Sequence, residues 1–338
     1  MRALVTGAAG FVGANLVREL LRDGVEVRAM VRKNGDLRNL ADLDVEIATG
    51  DLTDAGSLAP LLRGCDVLYH VAALYGEGEA AARLMYAINA EGTRNILRAA
   101  QTAGVSRVVH TSTIGTIGRP ANGENADESV EFNLWATSSH YARSKYIGER
   151  IALEMAHMGL PVVVVNPCAP VGKYDIKPSS TGRRVVDYLE GRMPSFLEGG
   201  INFIDVEDVA RGHILAARNG TVGERYILGN VNLSLKQFLQ LMREVTGQKA
   251  PKGGDDNPLR QLARRILKST AHSAQPHLHS LTCDCSKAIR ELSLSLTPIR
   301  FSLAKAVQWF RDNGYVEPRH SSQPAPRTFS AGRNLWNS

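Results

Sequence analysis

Thr6-Gly7-Ala8-Ala9-Gly10-Phe11-Val12-Gly13 is the stretch from which the rest of the chain is read. It follows the apolar run Ala3-Leu4-Val5 and precedes Leu16, Val17, Leu20 and Leu21 at helical spacing, closed by Gly24. The predicted order is therefore strand, glycine-rich turn, helix. Glycines three apart allow a tight reversal, let a phosphate approach the backbone, and let the helix pack close to the strand. The free N–H groups and positive dipole end of that helix then face an anion, for which a pyrophosphate is suited. A second strand, predicted over residues 25–31, completes the context a dinucleotide fingerprint requires.

Outward from this loop the pattern repeats. Strands are predicted over residues 43–48, 66–70, 107–110 and 161–165, with helical patterns between them, including one over 141–158. Strands alternating with helices through residue 167 predict an α/β fold, a Rossmann-type doubly wound parallel sheet. Ligands in such sheets lie beyond the carboxyl ends of the strands, where Gly7, Asp51, Ala72, Thr113 and Pro167 fall. The second half mixes short strands and helices and is read as a smaller mixed α/β C-terminal lobe. The expected division is 1–167 for the nucleotide-binding domain, with segments of 201–229 rejoining the sheet. Residues 168–316 form the substrate lobe, and 317–338 a disordered tail rich in Pro, Ser and Arg.

Composition narrows the functional class. With 338 residues, 43% apolar and 22% charged, the chain has the make-up of a globular protein with a substantial core. Its net charge of +6 is concentrated in two segments. One is 249–268, with Lys249, Lys252, Arg260, Arg264, Arg265 and Lys268; the other is 319–338, with Arg319, Arg327 and Arg333. The remainder is close to neutral and carries no nucleic-acid reading motif, so a nucleic-acid partner is not expected. A strand predicted from residue 2, no apolar run of membrane-spanning length and only four cysteines lead us to expect a cytoplasmic protein without a disulfide framework.

The chemistry concentrates in Tyr141-Ala142-Arg143-Ser144-Lys145. A phenol and an ammonium four residues apart share one helix face. An unperturbed tyrosine is a poor base at neutral pH, and a neighbouring cation favours its phenolate. The pair opens the helix after the fifth strand, which itself ends in Thr111-Ser112-Thr113.

TGAAGFVG, GDLTD, HVAA, HTSTIG, YARSK and NPCAPVG, in this order and spacing, resemble the extended short-chain dehydrogenases/reductases, a family that includes UDP-glucose 4-epimerases and dihydroflavonol reductases. The resemblance covers about residues 1–316. Residues 166–172, 175–178, 181–183 and 223–229 are most similar to the group called hopanoid-associated sugar epimerases. The resemblance implies that Tyr141 is the acid/base, that Lys145 lowers its pKa and binds the nicotinamide ribose, and that Thr113 bonds the same substrate oxygen. It further implies that Gly7, Gly10, Phe11, Val12 and Gly13 hold the pyrophosphate. Asp51 and Leu52 would contact adenine, Ala72 and Ala73 would line the ribose, and Pro167 would sit against the nicotinamide. The substrate is expected to be a small molecule, a sugar nucleotide or a carbonyl compound, and the family often forms homodimers through the helices after the fourth and fifth strands.

Cofactor choice has its own signal. NAD binders usually carry an acid at the end of the second strand; here Val31 is followed by Arg32 and Lys33. Two cations without a carboxylate suit a 2′-phosphate, so NADP(H) is expected in preference to NAD(H). That favours a reductase, in which cofactor exchanges. The closer family resemblance favours an epimerase, in which hydride returns to a transient ketone and the cofactor stays bound. The expected function is of the hopanoid-associated sugar epimerase type, with the reductase as its alternative. A third reading, a non-catalytic nucleotide-binding scaffold, is disfavoured by the presence of both Tyr141 and Lys145. Two features stand apart. His272, His277, His279, Cys283 and Cys285 lack the paired spacing of a zinc site, so no metal is expected. Leu259, Leu262, Ala263, Ile266 and Leu267 among basic residues suit a helix packed on the lobe, or one in peripheral contact with a membrane.

Overall fold

The computed structural model describes residues 1–76, 78–251 and 280–316. Its strands are β1 (Arg2–Thr6), β2 (Glu26–Val31), β3 (Glu46–Thr49), β4 (Val67–His70), β5 (Arg107–Thr111), β6 (Val162–Pro167), β7 (Ala169–Val171), β8 (Ile201–Asp205), β9 (Arg225–Leu228) and β10 (Val231–Leu233). Seven of them form one sheet in the order β3-β2-β1-β4-β5-β6-β9, with every neighbouring pair parallel. The order reverses between β1 and β4, which is where a doubly wound sheet opens its ligand crevice.

The helices α1 (Phe11–Arg22), α2 (Ala59–Leu62), α3 (Gly78–Tyr86), α4 (Gly92–Ala103), α5 (His140–His157), α6 (Ser180–Leu189) and α7 (Val206–Asn219) follow the strands. Period-two alternation divides each strand between two helical layers. In β6, Val162 and Val164 pack with Ile96, Leu97, Ile151 and Met155 of α4 and α5. Val163 and Val165 pack with Leu16, Leu20, Val209 and Ile214 of α1 and α7. All four valines are fully buried, as an unbroken apolar run in a strand covered on both faces should be. Between α3 and α4 the chain makes a wide π-helical turn, Ala87–Glu91, instead of a loop.

The remaining strands make a smaller sheet, β10-β8-β7, mixed in direction. With α6, α8 (Leu235–Thr246) and α10 (Ile299–Asp312) it encloses a second core centred on Phe196, Phe203, Phe238 and Phe310. α9 (Ser286–Leu292) packs back on the main sheet through Ala288 and Leu292. The predicted doubly wound sheet with a smaller mixed lobe is thus present. Within 201–229, β9 joins the large sheet and β8 the small one. The predicted helix at 259–268, the histidines His272, His277 and His279, and the predicted tail at 317–338 lie outside the described residues. No helix among the described residues is long and apolar enough to cross a membrane.

Candidate active site

A cleft of about 550 Å³ runs along the carboxyl ends of the central strands. Gly7, Gly10, Phe11, Val12 and Gly13 line its middle. Gly7 has φ +67°, and a Cβ there would lie 2.7 Å from the Ala72 backbone. A Cβ on Gly13 would lie 2.1 Å from the Gly7 carbonyl, so no larger residue fits either place. Gly10 caps α1 without a side-chain hydrogen bond, and the first turn holds no acid. The helix therefore offers uncapped N–H groups to the cleft, which is the donor set a pyrophosphate needs.

His70 fixes the strand ends around this loop. The Thr6 hydroxyl accepts from Ala72 N and lies 2.8 Å from His70 Nδ1, while Thr93 Oγ1, which donates to Asn89 O, lies 3.0 Å from Nε2. The chain of donors assigns the ring: Thr6 donates to Nδ1 and Nε2–H donates to Thr93. Burial, assisted by the charge of Lys145, pushes His70 down to about 3, so it is neutral and structural.

A segment from the lobe crosses over the loop. Asn15 Nδ2 donates to Lys173 O at 3.1 Å and Asn39 Nδ2 to Tyr174 O at 3.0 Å, and the Arg18 guanidinium lies 3.7 Å from the centre of the Tyr174 ring. These bonds bring Asp175, Ile176, Lys177 and Ser179 to the cleft, residues that the sequence reading assigns to the substrate lobe without giving any of them a role in the site. Asp175 accepts from the Ser179 amide and hydroxyl, and burial pushes its carboxyl up to about 6.

At one end of the cleft lie Arg32, Asp51 and Leu52, with Ala72 and Ala73 on the way to the centre. Lys33 does not line this cleft. It lines an adjoining cavity of about 570 Å³ together with Arg32, Asn34, Asp51 and Asp54. A further acid, Asp36, does reach the cleft, but Arg38 engages both its oxygens, at 3.0 and 2.7 Å, and holds its carboxyl down at about 2.

Thr113, Tyr141, Lys145 and Pro167 line the other end. Ser139 caps α5 by accepting from Ala142 N, which places Tyr141 in its first turn and Lys145 one turn on. Lys145 is 2% exposed and donates to Thr111 O at 2.7 Å. Burial pulls its ammonium down to about 8, and Glu149 opposes that pull. The Tyr141 phenol departs from the sequence expectation: burial pushes it up to about 12 instead of the neighbouring lysine lowering it. Tyr75, 65% exposed, stands edge-on to it with ring centres 5.3 Å apart. The Thr113 hydroxyl accepts from Gly115 N and keeps its own proton to donate. Behind Pro167, Cys168 Sγ lies 3.3 Å from Cys283 Sγ. Among the described residues no group of three or more His, Cys, Asp or Glu side chains could hold a metal ion.

The profile of the NAD dependent epimerase/dehydratase family matches residues 3–229. A Synechocystis protein provisionally named dihydroflavonol 4-reductase is 41% identical, over 93% of this chain and 95% of its own. Sterol demethylase protein B of Methylococcus capsulatus is 36% identical, over 94% and 100%. The structure of DesIV, a dTDP-glucose 4,6-dehydratase from Streptomyces venezuelae with NAD bound, superimposes with a TM-score of 0.74 at 29% identity, over 94% of this chain and 99% of that one.

Proposed function

Since the chain belongs to the NAD-dependent epimerase/dehydratase family of enzymes, we propose that it is an NADP(H)-dependent reductase of a small-molecule ketone or aldehyde. The observation that carries this reading is the convergence of Thr113, Tyr141 and Lys145 on one cleft with the glycine loop. The uncapped α1 terminus would hold the pyrophosphate, Lys145 the nicotinamide ribose, and Pro167 one face of the ring. The reduced nicotinamide, when bound, supplies the hydride. As the carbonyl carbon gains that hydride, Tyr141 gives its phenolic proton to the carbonyl oxygen, to which Thr113 donates a hydrogen bond. The Lys145 ammonium holds the phenolate that remains. A phenol pushed up to about 12 keeps its proton at neutral pH, which suits the donor of a reduction. Arg32 lines both the cleft and the adjoining cavity; Asp36, the acid that follows it in the chain, is engaged by Arg38, while Asp51 and Asp54 line the cavity beside it. That balance favours a 2′-phosphate.

Likeness to the sugar-nucleotide dehydratase supports a second reading, a sugar epimerase of the hopanoid-associated type that keeps its NAD. The test is cofactor release from the purified protein, followed by assay of NADPH and NADH with a panel of carbonyl compounds. Consumption of NADPH by one class of carbonyl, lost in Tyr141→Phe, is expected. Tightly retained NAD with no net turnover would replace the reductase by the epimerase.

A further inference from the structure

Glu149 sits one turn beyond Lys145 on α5, with no solvent exposure, and lines neither cavity. A buried carboxylate is costly unless every lone pair is used. Here Oε2 accepts from Thr116 Oγ1 at 2.6 Å and from Asn166 Nδ2 at 2.7 Å, while Oε1 faces Arg225 Nη1 at 3.2 Å. Thr116 has one proton and three oxygens in reach, Glu149 Oε2 at 2.6 Å, Thr113 O at 2.8 Å and Ser112 Oγ at 3.2 Å. The charge-assisted bond to the carboxylate is the strongest. The second Asn166 proton has Thr116 Oγ1 at 3.0 Å and Thr113 O at 3.2 Å in reach.

The consequence is a short path from a buried charge to two groups of the site. Glu149 orients Asn166 and Thr116, and both lie within hydrogen-bond reach of the carbonyl of Thr113, whose hydroxyl faces the cleft. The same carboxylate, one helical turn from Lys145, opposes the pull of burial on its ammonium. The other titratable groups around Lys145 are Tyr141 on its own helix, His70 on β4 and His110 on β5. Both histidines are buried and pushed well down, hence neutral. We propose that Glu149 is the positioning residue of this site, setting the place of Thr113 and keeping Lys145 charged without touching substrate or cofactor. The proposal rests on the hydride-transfer reading only for its kinetic part.

The test is ¹⁵N NMR titration of the lysine side chains, with Lys145 identified by Lys145→Met. In Glu149→Gln the Lys145 midpoint should fall by about one pH unit, as expected for loss of one nearby opposite charge. In Glu149→Gln/Arg225→Gln it should recover part of that fall, because the repelling cation has gone too. That double variant removes both buried charges and also serves if the single one does not fold. In kinetics, the alkaline limb of kcat should move to lower pH and kcat should drop about tenfold, within the range for lost acid–base assistance. KM for the cofactor should change by less than about twofold and Glu149→Asp should restore most of kcat, as fits a group acting only on the chemical step. An unmoved Lys145 midpoint in folded Glu149→Gln or in the double variant overturns the proposal. Absence of any hydride transfer by the unmodified chain would overturn the reductase instead, and the titration would still decide the role of Glu149.

Discussion

The two ends of the cleft are built on opposite principles. At the end holding Tyr141 and Lys145, the cation is buried and paired within the protein: Lys145 is 2% exposed and bonded to Thr111 O, with Tyr141 and Thr113 half-buried beside it. At the other end Arg32 and Lys33 are on open loop. Buried groups have titrations moved by desolvation and positions set by many contacts, so they suit proton transfer. Open cations leave their bonds for a ligand, and suit discrimination between ligands that differ by one phosphate. The proposed chemistry would thus be held at the buried end and the proposed cofactor choice at the open one.

Substitutions test that contrast, and the largest effect is expected at the buried end. Tyr141→Phe removes the proton donor and should lower kcat by a factor on the order of 10² to 10⁴, measured in steady-state turnover with cofactor affinity retained. Gly13→Ala puts a methyl group against the Gly7 carbonyl. Overpacking of this kind costs about 1–3 kcal/mol, read as a lower Tm together with weakened cofactor binding in calorimetry. pH provides the third test. The Lys145 ammonium is present below about 8 and is lost above it, so kcat should fall about tenfold per pH unit beyond that point. An unfolded lysine holds its proton to 10.5. Between about 8 and 10.5 the unfolded chain thus binds more protons, and the contribution of Lys145 to stability rises with pH while activity falls. Lys145→Met should abolish the difference between the two slopes. At the open end, Arg32→Ala should cost NADPH about tenfold in affinity, the scale of one charge-assisted hydrogen bond, and leave NADH unchanged. Lys33→Ala should cost about two- to threefold, as a more distant, solvent-screened cation would. Equal losses for the two cofactors at Arg32 would dissolve the distinction between the ends.

How much of this is legible in the sequence follows from the range of each interaction. The glycine loop and the Tyr141–Lys145 pair are visible because strand, turn and helix periods are local, and the strand ends carry Asp51, Ala72, Thr113 and Pro167 to the same crevice. The bonds that bring Asp175 and Lys177 there are not visible. Asn15 and Asn39 reach carbonyls 158 and 135 residues away, and neither asparagine carries a local signature of so distant a partner. Asp36 had a signal in principle, an acid five residues beyond β2, but its neutralisation by Arg38 is a matter of side-chain placement. The Tyr141 phenol departs from a local rule: the spacing puts a cation one turn away, yet burial, with Tyr75 beside it, pushes the phenol up.

The π-helical turn at Ala87–Glu91 has a consequence for insertions and deletions. Asn89, within it, binds both the N–H and the C=O of Leu74, a cleft residue, and donates to Ser144 between Tyr141 and Lys145. Its carbonyl projects to where a Cβ on Gly148 would lie 2.2 Å away, so α5 can approach only because position 148 has no side chain. Deleting one residue from the turn would close it to ordinary α-helix. The upstream helix would then rotate by about 100° and slide about 1.5 Å relative to α4. Such a loss would pull Asn89 off Leu74 and Ser144 together, altering the cleft wall and the catalytic helix in one event. The turn is a spacer counted in single residues: length changes here reach the active site, although none of its own five residues except Ile88 borders the cleft.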